Sequence, residues 1–234
     1  MSSPWVPLEA NPELFTEWSA RLGLDTQKHA FHDIFGLDAD LLAMVPQPVD
    51  AVLFLFPLTL GIDARQTAED AVYAEPKDAK ELLYLPQTIG NACGTIGLLH
   101  AISNSRAASA VQAGTPLAQL LEAARNAPQG QRPQLLETCD ALRDAHAQTA
   151  GEGQTAAPEA HAQVDLHFVA FVRGPSGKLI ELDGRRRGPI ERDVDVPTAA
   201  DLLTAAAQFV QTYYMQADPD QVQYNLIALG PGSA

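Results

Sequence analysis

The chain has 234 residues, 46% of them hydrophobic, with a mean hydropathy of −0.08, which supplies one substantial core and excludes wholesale disorder. Fifteen basic residues against 29 acidic ones give a net charge of −14, which disfavours phosphate-backbone binding and suits basic partners. The start has no basic stretch leading into an apolar one, the most apolar run (Val52 to Leu60) is broken by Pro57, and the two cysteines, Cys93 and Cys139, stand in unlike contexts; a soluble cytoplasmic monomer is expected, a nuclear location staying open, with no cofactor, nucleic acid or membrane.

Asn11-Pro12-Glu13 opens a helix with Leu14, Phe15, Trp18 and Leu22 as its apolar stripe and Gly23 as its end. Ala30 to Phe35 reads as a short strand, and Asp38 caps a helix that runs through Met44. Val49 to Phe56 is continuously apolar, as a strand buried on both faces requires. A polar helix is expected over Ala64–Ala74, and two more start at Thr115-Pro116 and Arg132-Pro133, the second running to about Ala147 with Cys139 inside it. Residues 148–163 hold no large apolar side chain and read as a long loop of the kind that forms lids or binding elements. Val164–Val172 and Leu179–Asp183 are strands around a Gly/Pro-rich turn, Thr198 caps a long helix to about Gln216, and Tyr224–Leu229 closes the chain as a strand. Without βαβ alternation or repeats, residues 1–234 read as one α+β domain with an antiparallel sheet flanked by helices.

The chemistry concentrates in Gln87-Thr88-Ile89-Gly90-Asn91-Ala92-Cys93-Gly94-Thr95-Ile96. Beyond Cys93 the apolar residues Ile96, Leu99 and Ile102 recur at helical spacing, so the thiol sits where free N–H groups and the helix dipole favour thiolate. The same N–H groups, with the Gln87 amide, can hold an oxyanion. Of six histidines, His100 lies two turns along the helix from Cys93, and His29, His32, His146 and His161 sit in mixed segments that suggest the surface. His167 interrupts the apolar strand Val164–Val172, where an imidazole needs partners. With the hairpin turn centred near residue 175, Asp183 falls opposite His167 and can accept its Nδ1 hydrogen.

These segments closely resemble the ubiquitin C-terminal hydrolases, small deubiquitinating thiol proteases with a papain-like architecture: Gln87 to His100, Val164 to Phe168 and Glu181-Leu182-Asp183-Gly184-Arg185. Trp5–Glu13, Met44-Val45-Pro46, Gly151–Pro158 and Asn225–Leu229 extend the likeness over nearly the whole chain. The resemblance implies a knotted backbone, with Cys93 as nucleophile, His167 as acid/base, Asp183 as orienting carboxylate and Gln87 as oxyanion donor. It implies a crossover loop over Ala150, Gly151, Glu152, Gly153, Gln154, Thr155, Ala156 and Ala157, and ubiquitin contacts at Glu9, Glu13, Asp33, Tyr224 and Asn225. The expected reaction is removal of small adducts or short extensions from the C-terminal glycine of ubiquitin or a related modifier. The alternative is a catalytically weak ubiquitin-binding module on the same fold.

Overall fold

The two most apolar strands set the centre of the sheet. β2 (Ala51–Pro57) and β3 (Leu166–Arg173) are buried along nearly their whole lengths and pair antiparallel, in a computed structural model that describes residues 4–154 and 165–232. Outward from them lie β6 (Asn225–Pro231) and β1 (His29–Asp33) on one side, and β4 (Lys178–Leu182) and β5 (Ile190–Asp195) on the other. The order is β1-β6-β2-β3-β4-β5, with antiparallel pairing throughout.

Helices cover both faces. One carries α1 (Pro12–Leu22), α4 (Cys93–Ser103), α5 (Pro116–Asn126), α6 (Arg132–Glu137) and α7 (Asp140–Gly151); their apolar residues share a core with Leu53, Phe168, Ala170 and Ile227. The other carries α2 (Ala39–Leu42), α3 (Leu60–Ala71) and α8 (Leu202–Phe209), packed on Phe54, Phe56 and Phe171. α8 continues through a π turn at Val210–Tyr214 into a 3-10 turn at Met215–Ala217. Asn11 caps α1 as expected, its Oδ1 accepting from Glu13 N at 2.9 Å and Leu14 N at 3.2 Å.

α4 runs through the middle of its layer, buried from Gly94 to Ser103. Gly97 makes that position attainable: a β-carbon there would stand 3.1 Å from Leu53 Cδ2 and 3.6 Å from Phe168 Cβ. The close approach lays the start of α4 beside the start of β3.

Several expectations need correction. The helix from Arg132 is two helices, because Thr138 Oγ1 turns back to Gln134 O at 2.8 Å and Cys139 is extended at the N-cap of α7. α7 continues to Gly151, so Ala150 and Gly151 are helical and not loop. Docking decides this, since Ala150 is buried and Arg21 of α1 binds Thr149 Oγ1 at 3.1 Å and Glu152 Oε2 at 2.7 Å. Glu152, Gly153 and Gln154 follow the helix, whereas Thr155, Ala156, Ala157, His161 and Val164 lie outside the described residues. α3 starts at Leu60, capped by Thr59, ahead of the expected Ala64. β5 escaped the sequence reading because its buried inward residue is Arg192, a charge where a strand pattern calls for an apolar side chain.

Candidate active site

Antiparallel pairing gathers one end of every central strand at the same edge of the sheet. The start of β3 pairs with the end of β2, which places His167 opposite Phe56, and the start of β6 places Asn225 opposite Leu55. The end of β1, at Asp33, meets Ile227 of β6, and the end of β4 leads into Asp183. The start of α4 comes to this same edge. Ahead of it Asn91 adopts φ 61, a left-handed conformation that asparagine tolerates, and Cys93 is the first residue of the helix.

The β3–β4 register differs from the expected one by two residues. Ala170 pairs with Leu182 and Arg173 with Leu179, so position 183 is aligned with 169 and not with 167. The turn is the cause: Gly174 N donates to Lys178 O at 2.8 Å, and Gly177 closes the short loop at φ 77. A shift of two preserves the face of the sheet, and Asp183 becomes a diagonal neighbour of His167. The side chains bridge the diagonal, with His167 Nε2 and Asp183 Oδ1 2.6 Å apart. The nitrogen is Nε2 and not the expected Nδ1. A carboxylate only accepts, so Nε2 carries the hydrogen, and Nδ1 is left free to face Cys93, whose interaction with the ring raises its basicity.

Electrostatics couple the three groups. Burial alone pushes the Cys93 thiol up, but the hydrogen bond and charge of His167, with the N–H groups of Phe168 and Gly94, bring it below the ordinary thiol value. Burial pulls the His167 imidazolium down, and the Asp183 carboxylate, aided by the thiolate, pushes it up to about 10. Asp183 is fully buried; burial opposes its charge, but His167 and the Arg185 N–H, 2.9 Å from Oδ1, hold it below the usual carboxylate range. The three directions describe thiolate, imidazolium and carboxylate side by side, while Cys93 keeps partial access to solvent.

Gln87 lies beside this row. Its backbone N–H donates to Gly184 O at 2.8 Å, and its Nε2 donates to Ile89 O at 3.2 Å, leaving the second amide hydrogen uncommitted by that bond. Gly184 is there for space: a β-carbon would stand 2.9 Å from both Gln87 Cβ and Ile96 Cγ2. Gly184→Ala is therefore expected to displace Gln87, costing about 1–3 kcal/mol by overpacking and lowering turnover more than substrate affinity. Denaturant unfolding and steady-state kinetics on one preparation check both parts.

Of the other histidines, His100 is buried and accepts from Leu85 N at 2.9 Å; burial lowers it to about 4, so it is a neutral core residue. His146 is not at the surface. It sits between Thr95 Oγ1, 2.8 Å from Nδ1, and the Val6 carbonyl, 2.7 Å from Nε2, under the Trp5 ring. Tertiary contacts with the N-terminal segment, invisible from its own helix, bury it. His29 and His32 are likewise partly buried, bonded to Asp50 Oδ2 at 2.8 Å and Pro231 O at 2.7 Å.

The proposed ubiquitin-contact residues fall around the same edge. Glu9 follows Leu8, which packs against Gly94, and Glu13 is exposed in the first turn of α1. Asp33 ends β1, Asn225 begins β6, and Tyr224 stacks on Phe54 with centroids 5.9 Å apart. Sequence reading passed over Tyr84, whose hydroxyl donates to Asp183 O at 2.8 Å and also contacts Arg186 O. Within the apolar run Leu82–Leu85, nothing marked it as more than core.

Comparison with known proteins gives a family and a fold. Residues 5–215 match the model of "Ubiquitin carboxyl-terminal hydrolase, family 1". Ubiquitin carboxyl-terminal hydrolase 3 of Arabidopsis thaliana is 36% identical over 97% of this chain and 94% of its own. A ubiquitin carboxyl-terminal hydrolase of Aplysia californica is 37% identical over 92% of this chain and 97% of its own. The fold is similar to that of the Trichinella spiralis UCH37 catalytic domain, solved bound to ubiquitin vinyl methyl ester, with a TM-score of 0.74 at 18% identity over 98% of this chain and 96% of that one.

Proposed function

The chain belongs to the ubiquitin carboxyl-terminal hydrolase family 1, whose members are cysteine-type hydrolases, and we propose that Cys93, His167, Asp183 and Gln87 carry that activity here. The observation that supports this most directly is the partly accessible thiol at the first residue of a buried helix, held below its ordinary value by an imidazole that is itself 2.6 Å from a buried carboxylate. The Cys93 thiolate attacks the carbonyl carbon of the C-terminal glycine of ubiquitin. The tetrahedral oxyanion is held by N–H groups at the start of α4 and by the Gln87 amide. His167 gives its proton to the leaving amine or thiol, and a thioester forms. His167 then takes a proton from water as the water oxygen adds to the thioester; collapse breaks the C–S bond, expels the Cys93 thiolate beside the restored imidazolium and frees the ubiquitin C-terminal carboxyl group.

The substrate reading rests on family membership and on the placement of Glu9, Glu13, Asp33, Tyr224 and Asn225 around one edge of the sheet. The net charge of −14 favours a basic tail arriving there. A ubiquitin probe ending in a vinyl ester should form one covalent adduct on Cys93, read by intact mass and peptide mapping. Ubiquitin binding without adduct formation would instead describe a binding module.

A further inference from the structure

We propose that Glu69 is a positioning residue for Asp183, acting through buried arginines that hold the turn carrying this carboxylate. The inference rests on the catalytic reading above and deepens it.

The argument begins with α3. Only Ile62 and Gln66 of its residues are buried, so apolar packing gives this helix little hold on the body of the protein. Its C-terminal end presents Glu69 and Asp70 to two guanidinium groups. Glu69 Oε2 accepts from Arg186 Nη2 at 3.0 Å and Oε1 from Arg192 Nη1 at 2.7 Å, while Asp70 Oδ1 accepts from Arg186 Nε at 2.8 Å. The side chains of Arg186 and Arg192 are only 3% and 7% exposed, and buried cations demand paired anions. One carboxylate thus serves both.

Each arginine leads to Asp183. Arg192 Nε donates to Glu181 Oε2 at 3.0 Å, and the Tyr214 hydroxyl donates to Glu181 Oε1 at 2.9 Å, which fixes the strand two residues ahead of Asp183. Arg186 closes the turn behind it, its N–H donating to Asp183 O at 3.0 Å, with the Tyr84 hydroxyl on the same carbonyl. The carboxylate has weak local anchorage by comparison: Oδ1 accepts from His167 and Arg185 N, whereas Oδ2 is buried without a hydrogen-bond partner among the described residues. The direction in which Asp183 points is therefore set by the backbone of residues 181–186, and the far side of that backbone is held by Glu69 and Asp70.

Thiolate formation at Cys93 reports this chain of contacts. The titratable groups acting on Asp183 and His167 are Cys93 on α4, Tyr84, His100, Glu181 on β4, Tyr214 and Arg185. A less well aimed Asp183 supports the imidazolium less, which supports the thiolate less, so the thiol titrates at higher pH. A role confined to stability would leave that midpoint in place.

The test uses the full chain in a Cys139→Ala background, so that Cys93 is the one thiol. Parent, Glu69→Gln and Asp63→Asn, the last an exposed acid on the same helix, are compared by the pH dependence of iodoacetamide alkylation and by kcat and KM on a ubiquitin C-terminal amide. Glu69→Gln should raise the alkylation midpoint by about one pH unit and lower kcat about tenfold, with KM within about twofold and Asp63→Asn at parental values. A folded Glu69→Gln with the parental midpoint and kcat overturns the proposal. Asp70→Asn, which takes the other anion from Arg186 alone, supplies the same readout should Glu69→Gln not fold. A parent without Cys93-dependent turnover would overturn the proposed reaction itself, a separate failure.

Discussion

Cys93→Ala will reduce hydrolysis of a ubiquitin C-terminal ester or amide by at least about 10⁴-fold and leave ubiquitin affinity within about threefold of the parent. The two halves have different origins in the structure. The proposed reacting atom is one sulfur, its thiol held below the ordinary value by His167 and by the Phe168 and Gly94 N–H groups. Among the described residues no second nucleophile stands ready to replace it: His100 is buried and neutral, and Cys139 is at the N-cap of α7. Affinity is proposed to rest instead on Glu9, Glu13, Asp33, Tyr224 and Asn225, on the N-terminal segment, α1, the end of β1 and the start of β6. Removing a side chain as small as cysteine from the first residue of α4 leaves a methyl group there and keeps the helix start. Single-turnover kinetics and a fluorescence titration with ubiquitin measure the two quantities separately. Cys139→Ala, run in parallel, should keep most of the activity; were it the inactive variant, the nucleophile would be misassigned.

Those elements whose own residues decide them were legible in the sequence. α1 carries its cap, its stripe and its terminator in consecutive residues, and β2 and β3 carry a continuous apolar run, so each was found within a few positions. Cys93 was legible because the apolar spacing after it marks a helix start, and His167 because an imidazole in an apolar strand requires partners. What depended on contacts far along the chain was not legible. His146 is buried by the carbonyl of Val6 and the ring of Trp5, and α7 is drawn out to Gly151 by Arg21. β5 disguises its inward face with Arg192, whose partners Glu69 and Glu181 come from a helix and another strand. The hairpin lies between the two cases. Its strands and the identity of the pair were readable, but the turn could be centred at either of two neighbouring places, and only the Gly174 to Lys178 closure fixes it. Because the alternatives differ by two residues, the error left Asp183 on the correct face.

That diagonal geometry shapes the second large effect. Asp183→Asn will lower kcat by about 100-fold, roughly 2.7 kcal/mol of transition-state stabilisation, and will narrow the pH range of activity from both sides. The amide can keep the bond to His167, because the Arg185 N–H beside Oδ1 selects the carbonyl oxygen for that position. What it cannot keep is the charge. In the parent, the carboxylate holds the imidazolium up to about 10 against burial, and the imidazolium in turn holds the thiol down. Without the carboxylate the upper limb, set by loss of the His167 proton, moves to lower pH. The lower limb, set by loss of the Cys93 proton, moves to higher pH, and the ion-paired form is populated over a smaller interval between them. The amide nitrogen would occupy the Oδ2 site, buried without a partner among the described residues, an added cost of about 1–3 kcal/mol that appears as lower stability. The measurement is kcat/KM from acid to alkaline pH on a small C-terminal adduct of ubiquitin, with denaturant unfolding on the same samples. Parental limbs with an undiminished kcat would mean that His167 draws its basicity from elsewhere, and that the 2.6 Å contact with Asp183 is an ordinary buried ion pair.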